Sequence, residues 1–203
     1  MNTDSPSLIQ KPHAIANIVV VGGGSAGWMA AAMLAKCLPK TCRVSVVQPP
    51  GQRGIGVGEA TIPSILRLLE FFEIDESTWM RRCQATYKLG IHFVDWNRQG
   101  GDYWHPFGVC GARIDQADLF HDWWVQANRF QLKRPYSTYS LHWSAAMAGK
   151  SPHSFSGPSP ITQTKSYAFH LSASGFADWL RDEAIEAGVI EIEGTLRDVT
   201  LSQ

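Results

Sequence analysis

The sequence predicts an α/β fold that begins with a parallel β-α-β unit, and three observations support this prediction. An apolar, β-branched run at 17–21 leads directly into the pattern Gly-x-Gly-x-x-Gly at 22–27. Alanine, methionine and leucine then dominate over 25–37, which is typical of a helix. A second apolar run at 43–48 completes a unit of about thirty residues, the length expected of one half of a dinucleotide-binding fold.

The glycine turn has the residue types that a phosphate-binding loop needs. Gly22 permits the tight turn, Gly24 lets a pyrophosphate approach the backbone, and Gly27 lets the helix pack close to the strand. Ser25 and Ala26 fall at the start of the helix, where unpaired N–H groups and the helix dipole favour an anion. These five residues are therefore predicted to bind the cofactor.

Composition narrows the class of protein. Among 203 residues, Lys plus Arg and Asp plus Glu number 18 each, so no polyanionic partner is indicated, and nucleic acid and membrane surfaces are not expected as partners. The four cysteines show no C-x-x-C spacing, which favours free thiols in a reducing cytoplasm. The histidines show no metal-binding spacing, and residues 1–16 are predicted to be a disordered arm rather than a signal peptide.

Further along the chain, hydrophobic periodicity and turn residues predict the remaining elements. Helices are expected over 63–72, from 75, over 115–130 and over 173–187; strands over 86–94, 103–109, 189–192 and 196–201; and loops over 51–61 and 151–160. No internal repeat or interdomain linker is evident, so 1–203 are predicted to belong to a single domain.

Four segments together resemble the flavin-dependent tryptophan halogenase family. They are GGGSAGWMAA (22–31), RGIGVGEATIPS (53–64), WMRRCQATYKLGIHFVDW (79–96) and GDYWHPFG (101–108). The second is similar to the family's flavin-contacting strap and is far more specific than the glycine turn alone. The resemblance implies an FAD-binding, Rossmann-like fold of the glutathione-reductase and hydroxylase type, incomplete at the C-terminus.

This resemblance implies an enzyme that receives reduced FAD from a separate flavin reductase and uses oxygen and halide to make hypohalous acid. The oxidant would reach a lysine beside tryptophan or a similar electron-rich aromatic substrate, and that lysine is Lys88. Its ammonium could polarise hypohalous acid by a hydrogen bond, or its unprotonated amine could form a haloamine. The sequence leaves both roles open.

The resemblance also assigns the remaining site residues. In addition to the glycine turn, the cofactor contacts are expected from Gln48, Arg53, Gly56, Val57, Gly58, Glu59 and Ala60. The substrate contacts are expected from His105 and Phe107, which would stack on the ring, and from Ile62, Pro63 and Ile91. Glu59 could be a general base, but a role in holding the strap against the flavin is favoured; Arg53 could neutralise a phosphate or cap the loop.

Three positions differ from the family pattern. Gln48 lies where an acidic residue usually binds the adenosine ribose. Ser172 replaces an aspartate before the helix at 173, and Glu73 occupies a turn where the family tends to have glycine. The family's Trp-x-Trp-x-Ile-Pro motif and the glutamate opposite the lysine have no counterpart in 1–203.

The expectation is therefore an N-terminal portion of a halogenase that is inactive by itself and forms, in the whole protein, a possible homodimer. Two alternatives stay open: an FAD-dependent aromatic monooxygenase that hydroxylates its substrate, and an inactive, truncated flavin-binding remnant.

Overall fold

The computed structural model describes residues 15–51, 58–114, 117–131 and 133–201. In chain order the elements are β1 (Asn17–Val21), α1 (Ser25–Cys37), β2 (Arg43–Gln48), β3 (Gly58–Ala60), α2 (Ile65–Phe72), α3 (Glu76–Arg82), β4 (Thr86–Lys88), β5 (Gly90–Val94), β6 (Asp102–Pro106), β7 (Arg113–Ile114), β8 (Ala117–Asp118), α4 (Leu119–Arg129), a 3₁₀ turn (Tyr136–Tyr139), α5 (Leu141–Met147), α6 (Pro160–Gln163), β9 (Ala168–Ser172), α7 (Ala173–Glu186) and β10 (Ile190–Glu193). The mixture of helices and strands confirms the predicted α/β class.

The chain divides into two compact units. The first contains the described residues 15–51 and 176–201, and the second contains those between 58 and 175. Predictions for Arg53, Gly56 and Val57, and for most of the proposed N-terminal arm, lie outside the described residues.

The first unit is built on a parallel three-stranded sheet in the order β1-β2-β10. Residues 17–21 of β1 pair with 43–47 of β2, and α1 connects the two strands, so the predicted β-α-β unit is confirmed. Val44 and Val46 of β2 are buried, as is Trp28 on α1, because parallel strands are covered by their crossover helices.

The second unit holds an antiparallel sheet in the order β3-β9-β4 and a separate hairpin, β5–β6. One face of the β3-β9-β4 sheet packs against α3, where the ring of Trp79 meets that of Phe169 edge-on, with 4.9 Å between centroids. Both rings are buried, so this aromatic pair is part of the core that supports the strand carrying Lys88.

The prediction of a single continuous strand over 86–94 was wrong. The strand divides at Leu89, so β4 pairs with β9 while β5 pairs with β6. A side chain at Gly90 would lie 2.4 Å from the indole of Trp104, so glycine permits the close approach of β5 to its hairpin partner.

Other boundaries also differ. The strand predicted over 103–109 ends at Pro106, and the helix predicted from 115 begins at Leu119, where the Asp118 carboxylate accepts the Phe120 N–H at 2.9 Å and caps it. The strand predicted over 196–201 is absent. Its apolar side chains are more than half exposed, so their alternation does not define a buried face.

Candidate active site

The glycine turn forms a backbone cradle at the start of α1. Gly22 has a left-handed φ of +117°, and its N–H donates to the Val47 carbonyl oxygen at 2.9 Å. A Cβ on Gly27 would lie 1.9 Å from the Gly22 oxygen, whereas a Cβ on Gly24 would meet no protein atom within 4 Å. The strand and helix thus require glycine at 27, and the space beside Gly24 is open.

The helix end in this cradle fits an anion. Gly24 is the N-cap of α1, no side chain caps the helix, and its first turn, which begins with Ser25 and Ala26, contains no acidic residue. Backbone N–H groups at a helix start need acceptors, and a pyrophosphate supplies them. The residues present therefore suit the phosphates of a dinucleotide.

Gln48 ends β2 directly beside this turn. A Cβ on Gly23 would lie 1.5 Å from the Gln48 side-chain oxygen, so the amide packs against the glycine backbone. The Gln48 Nε2 donates to the Glu191 carboxylate on β10 at 2.5 Å. The residue at the expected ribose position is thus held by a neighbouring strand.

The described part of the strap forms the edge strand β3. Gly58, Glu59 and Ala60 pair with Ser172, Leu171 and His170 of β9, and all three strap residues are exposed. Adjacent residues of a strand point to opposite faces, so Glu59 and Ala60 do not share a face. Ile62 and Pro63 follow this strand, and Ile62 is exposed.

Lys88 ends β4 and is buried, with 8% of its surface exposed. Its Nζ donates to the Thr61 carbonyl oxygen at 3.0 Å and lies 5.3 Å from the centre of the Phe107 ring. Burial lowers the pKa of Lys88 because the charged form loses hydration. Among the described residues no carboxylate forms an ion pair with it.

The pairing register places His170 on the same sheet face as Lys88. Lys88 pairs with Ala168, and Thr86, two residues earlier, pairs with His170. Ala60 pairs with His170 from the other side, so it also lies on this face. The pKa of His170 is lowered by burial and, to a smaller degree, by the charge of Lys88.

Three of the predicted substrate residues come together near the hairpin. Ile91 pairs with His105, so their side chains share a face. Phe107 follows β6, and its N–H donates to the Leu89 carbonyl oxygen at 3.0 Å, which links it to the residue after Lys88. Strand pairing thus joins Ile91 and His105, and Phe107 links the end of this hairpin to Lys88 through the 5.3 Å contact with its ring.

An open pocket of about 500 Å³ is lined by two of these residues, His105 and Phe107, whereas Lys88 and Ile91 are not among its lining residues. Its lining includes His105, Phe107, Leu141, His142 and Ile161. This volume lies within the range of small-molecule sites, and the lining is mostly apolar, which suits an aromatic ring. His142 is buried and its Nε2 is 2.8 Å from the Ser166 Oγ.

Several features of the site could not be identified from the sequence. The Thr61 contact uses a backbone carbonyl, which every residue possesses, and the position of His170 depends on strand register. The role of Ser172, in contrast, is one that its residue type predicts. Its Oγ accepts a hydrogen bond from the Gly175 N–H at 3.3 Å and caps the start of α7, as an aspartate would.

Two further findings concern the residues that the structure describes. None of their helices combines the length and the apolar character that a bilayer crossing requires. They contain no group of three histidine, cysteine or acidic side chains arranged to hold a metal ion.

Known proteins similar in sequence to this chain are described as tryptophan halogenases. A family model described as tryptophan halogenase matches residues 17–203. Tryptophan 7-halogenase RebH from Lentzea aerocolonigenes is 34% identical over 202 residues, covering 91% of this chain and 37% of RebH. Tryptophan 6-halogenase SttH from Streptomyces toxytricini is 32% identical over 224 residues, covering 99% of this chain and 40% of SttH.

Solved structures give the same result. Xcc4156, a flavin-dependent halogenase from Xanthomonas campestris, superposes with a TM-score of 0.79 and 36% identity over 93% of this chain and 37% of that one. BrvH, a flavin-dependent halogenase from Brevundimonas sp. BAL3, gives a TM-score of 0.75 and 36% identity over the same shares. The chain therefore has the fold of the corresponding part of these proteins and spans somewhat over a third of their length.

Proposed function

The chain belongs to the tryptophan halogenase family, and we propose that it supplies the flavin cradle and the reacting lysine of a flavin-dependent halogenase. The proposed substrate is tryptophan or another electron-rich aromatic molecule. The proposed cofactor is FAD, with halide and oxygen as co-substrates.

The FAD proposal is supported by the fit of the glycine cradle. The uncapped start of α1 and the open space at Gly24 suit the pyrophosphate, and Gln48 ends β2, where a dinucleotide-binding fold is expected to contact the ribose. Ser25 and Ala26 would add phosphate contacts from the start of α1, and the contacts expected from the strap residues Gly58–Ala60 stay predictions. When bound, reduced FAD supplies the electrons with which oxygen and halide become hypohalous acid.

The environment of Lys88 is the observation that carries the proposal. Most lysines are solvent-exposed, yet this one is buried, held by the Thr61 carbonyl and directed at the face of Phe107. One of its N–H groups is used by Thr61, so others remain to bind the oxygen of hypohalous acid. The lysine would thereby hold the oxidant beside a ring stacked near Phe107.

Two roles of Lys88 use the same geometry. The ammonium donates a hydrogen bond that polarises hypohalous acid; alternatively, the amine takes the halogen and releases water. In both cases a ring carbon finally takes the halogen. In the ammonium route the displaced ring proton and the hydroxide of hypohalous acid leave as water; in the amine route water has already left, and the ring proton returns to the Lys88 nitrogen. The lowered pKa of Lys88 increases the amine fraction relative to an exposed lysine.

The proposed partners follow from this chemistry. A separate flavin reductase would supply reduced flavin by diffusion, and the aromatic substrate would occupy the pocket beside Phe107. The four free cysteines fit a reducing cytoplasm. Homodimer formation and a single FAD-binding domain stay predictions.

The test uses the whole polypeptide in which this sequence occurs, supplied with FAD, a flavin reductase, NADH and bromide or chloride. We expect halogenated tryptophan or indole by mass spectrometry, and we expect Lys88→Ala to abolish it while oxidation of the reduced flavin continues. Lys165→Ala is the control, because Lys165 is exposed and pairs with Glu70.

Three outcomes would contradict the proposal. A hydroxylated product that persists without halide and in Lys88→Ala would identify a monooxygenase. Halogenation that survives Lys88→Ala would remove the lysine from the mechanism. A folded protein that binds no flavin would indicate an inactive remnant. The 203 residues alone are expected to bind FAD weakly and to yield no halogenated product.

A further inference from the structure

A chain of three hydrogen-bonded side chains, Gln48, Glu191 and Arg181, lies beside the glycine turn and is called the relay below. Gln48, at the end of β2, donates from Nε2 to Glu191 on β10 at 2.5 Å. On the other side of Glu191, the Arg181 guanidinium on α7 donates from Nε to the two carboxylate oxygens at 3.0 and 3.1 Å and from Nη2 to one of them. Three elements of the first unit thus converge on the residue beside the glycine turn.

This relay determines which end of the Gln48 amide faces the cradle. An ionised carboxylate only accepts hydrogen bonds, so the amide must direct its NH₂ group toward Glu191 and its oxygen away from it. A glutamate is ionised at neutral pH, and the hydrogen bonds from Arg181 lower the pKa of Glu191 further. The amide oxygen lies against the backbone of Gly23, at the turn itself.

We propose that Arg181 and Glu191 position the Gln48 amide so that its oxygen accepts hydrogen bonds from the adenosine ribose of FAD. Dinucleotide-binding folds usually place a carboxylate at this position. Here the neutral amide is at the ribose, and the carboxylate that orients it lies on the neighbouring strand. Glu191 and Arg181 are therefore positioning residues for adenosine recognition, an inference that rests on the proposed binding of FAD.

The relay makes a specific prediction about a residue swap. Gln48→Glu alone would place two carboxylates in contact, and like charges at that distance repel. Combining it with Glu191→Gln reverses the pair: the carboxylate then faces the ribose, and the new amide at 191 donates to it. A merely structural role for Glu191 does not predict this rescue.

The experiment measures dissociation constants of FAD, ADP and FMN for the whole polypeptide and its variants, by flavin fluorescence and, for ADP, by calorimetry. FMN carries the flavin but no adenosine. Loss of one oriented hydrogen bond to a ligand raises its dissociation constant about tenfold. We therefore expect Glu191→Leu to weaken FAD and ADP about tenfold and FMN less than twofold.

We expect Gln48→Glu to weaken FAD and ADP at least as much, and the double variant Gln48→Glu with Glu191→Gln to return within about twofold of the wild type. Glu186→Gln is the matched control, because it removes the same charge from an exposed position on α7 in the same unit, away from Gln48. Thermal unfolding of each variant verifies that it is folded. If Glu191→Leu does not fold, the double variant still tests the proposal, because it keeps one carboxylate and one amide at positions 48 and 191.

Two results would overturn the inference without affecting the proposed function: unchanged ADP binding in Glu191→Leu, or equal losses for ADP and FMN. Failure of the double variant to recover affinity would also overturn it. If the wild-type protein binds neither FAD nor ADP, the proposed function fails, and the inference fails with it. The wild-type measurement therefore separates the two failures.

Discussion

Glu73→Gly is expected to stabilise the protein, because Glu73 has a backbone conformation that suits glycine. Its φ is +58° and its ψ is +36°, in the left-handed region. It follows the last residue of α2, where its N–H donates to the Glu70 oxygen and the Ile74 N–H donates to the Leu69 oxygen, both at 3.0 Å. These two bonds form a Schellman motif, whose left-handed position is usually glycine.

The expected gain follows from two opposing terms. A side chain in the left-handed region costs about 1–2 kcal/mol, and glycine removes that cost. Glycine also loses more backbone freedom on folding, which offsets about 0.5–1 kcal/mol. The net gain in the free energy of unfolding is about 0.5–1 kcal/mol, or roughly 1–4 °C in the melting temperature of a chain this size.

The assay is thermal and urea-induced unfolding, followed by circular dichroism. Glu73→Ala is the matched control: it removes the same exposed carboxylate but keeps a Cβ, so it should not reproduce the gain. A melting temperature for Glu73→Gly at or below that of the wild type would refute the reasoning, as would equal gains for glycine and alanine.

Two further predictions concern the cradle and the lysine. Gly27→Ala should lower the free energy of unfolding by at least about 2 kcal/mol, because its Cβ would overlap the Gly22 oxygen. Gly24→Ala should change that free energy by less than about 0.5 kcal/mol and still weaken FAD binding, because its Cβ would meet only open space. Urea unfolding and flavin titration measure the two effects, and a larger loss of stability for Gly24→Ala than for Gly27→Ala would contradict the geometry. Burial lowers the pKa of Lys88 in the folded protein, so between that pKa and the ordinary value of 10.5 the unfolded chain binds the proton more strongly than the folded one. The free energy of unfolding of the wild type should therefore rise with pH across this window. Lys88→Met should therefore be most stabilising at neutral pH, and a gain independent of pH in urea titrations from pH 7 to 10.5 would count against a desolvated lysine.

The sequence predicted the first β-α-β unit to the residue, because glycine, proline and β-branched residues determine local structure there. It did not predict the break at Leu89, which depends on the Trp104 ring packing on Gly90 across a hairpin. It also predicted a strand over 196–201, where alternation occurs without a buried face. A contact between residues distant in sequence determined the first region, and exposure of the apolar side chains to solvent explains the second.

The same distinction applies to the candidate site. Motifs identified Lys88, His105 and Phe107, and the structure brings Lys88 to within 5.3 Å of the Phe107 ring centre. Their proposed roles stay predictions. The orientation of Gln48 could not be predicted, because Glu191 lies 143 residues away along the chain. Sequence patterns report which residues are present, whereas partners distant in sequence require the fold.

The division of the strand at Leu89 has an evolutionary consequence. Lys88 belongs to a sheet anchored on the aromatic core of α3, whereas Ile91 and His105 belong to a separate hairpin. Under the proposed roles, mutations of Ile91 and His105 would change the substrate wall on one sheet while the lysine stays on another. Substrate preference and reaction chemistry would then be encoded in separately paired strands.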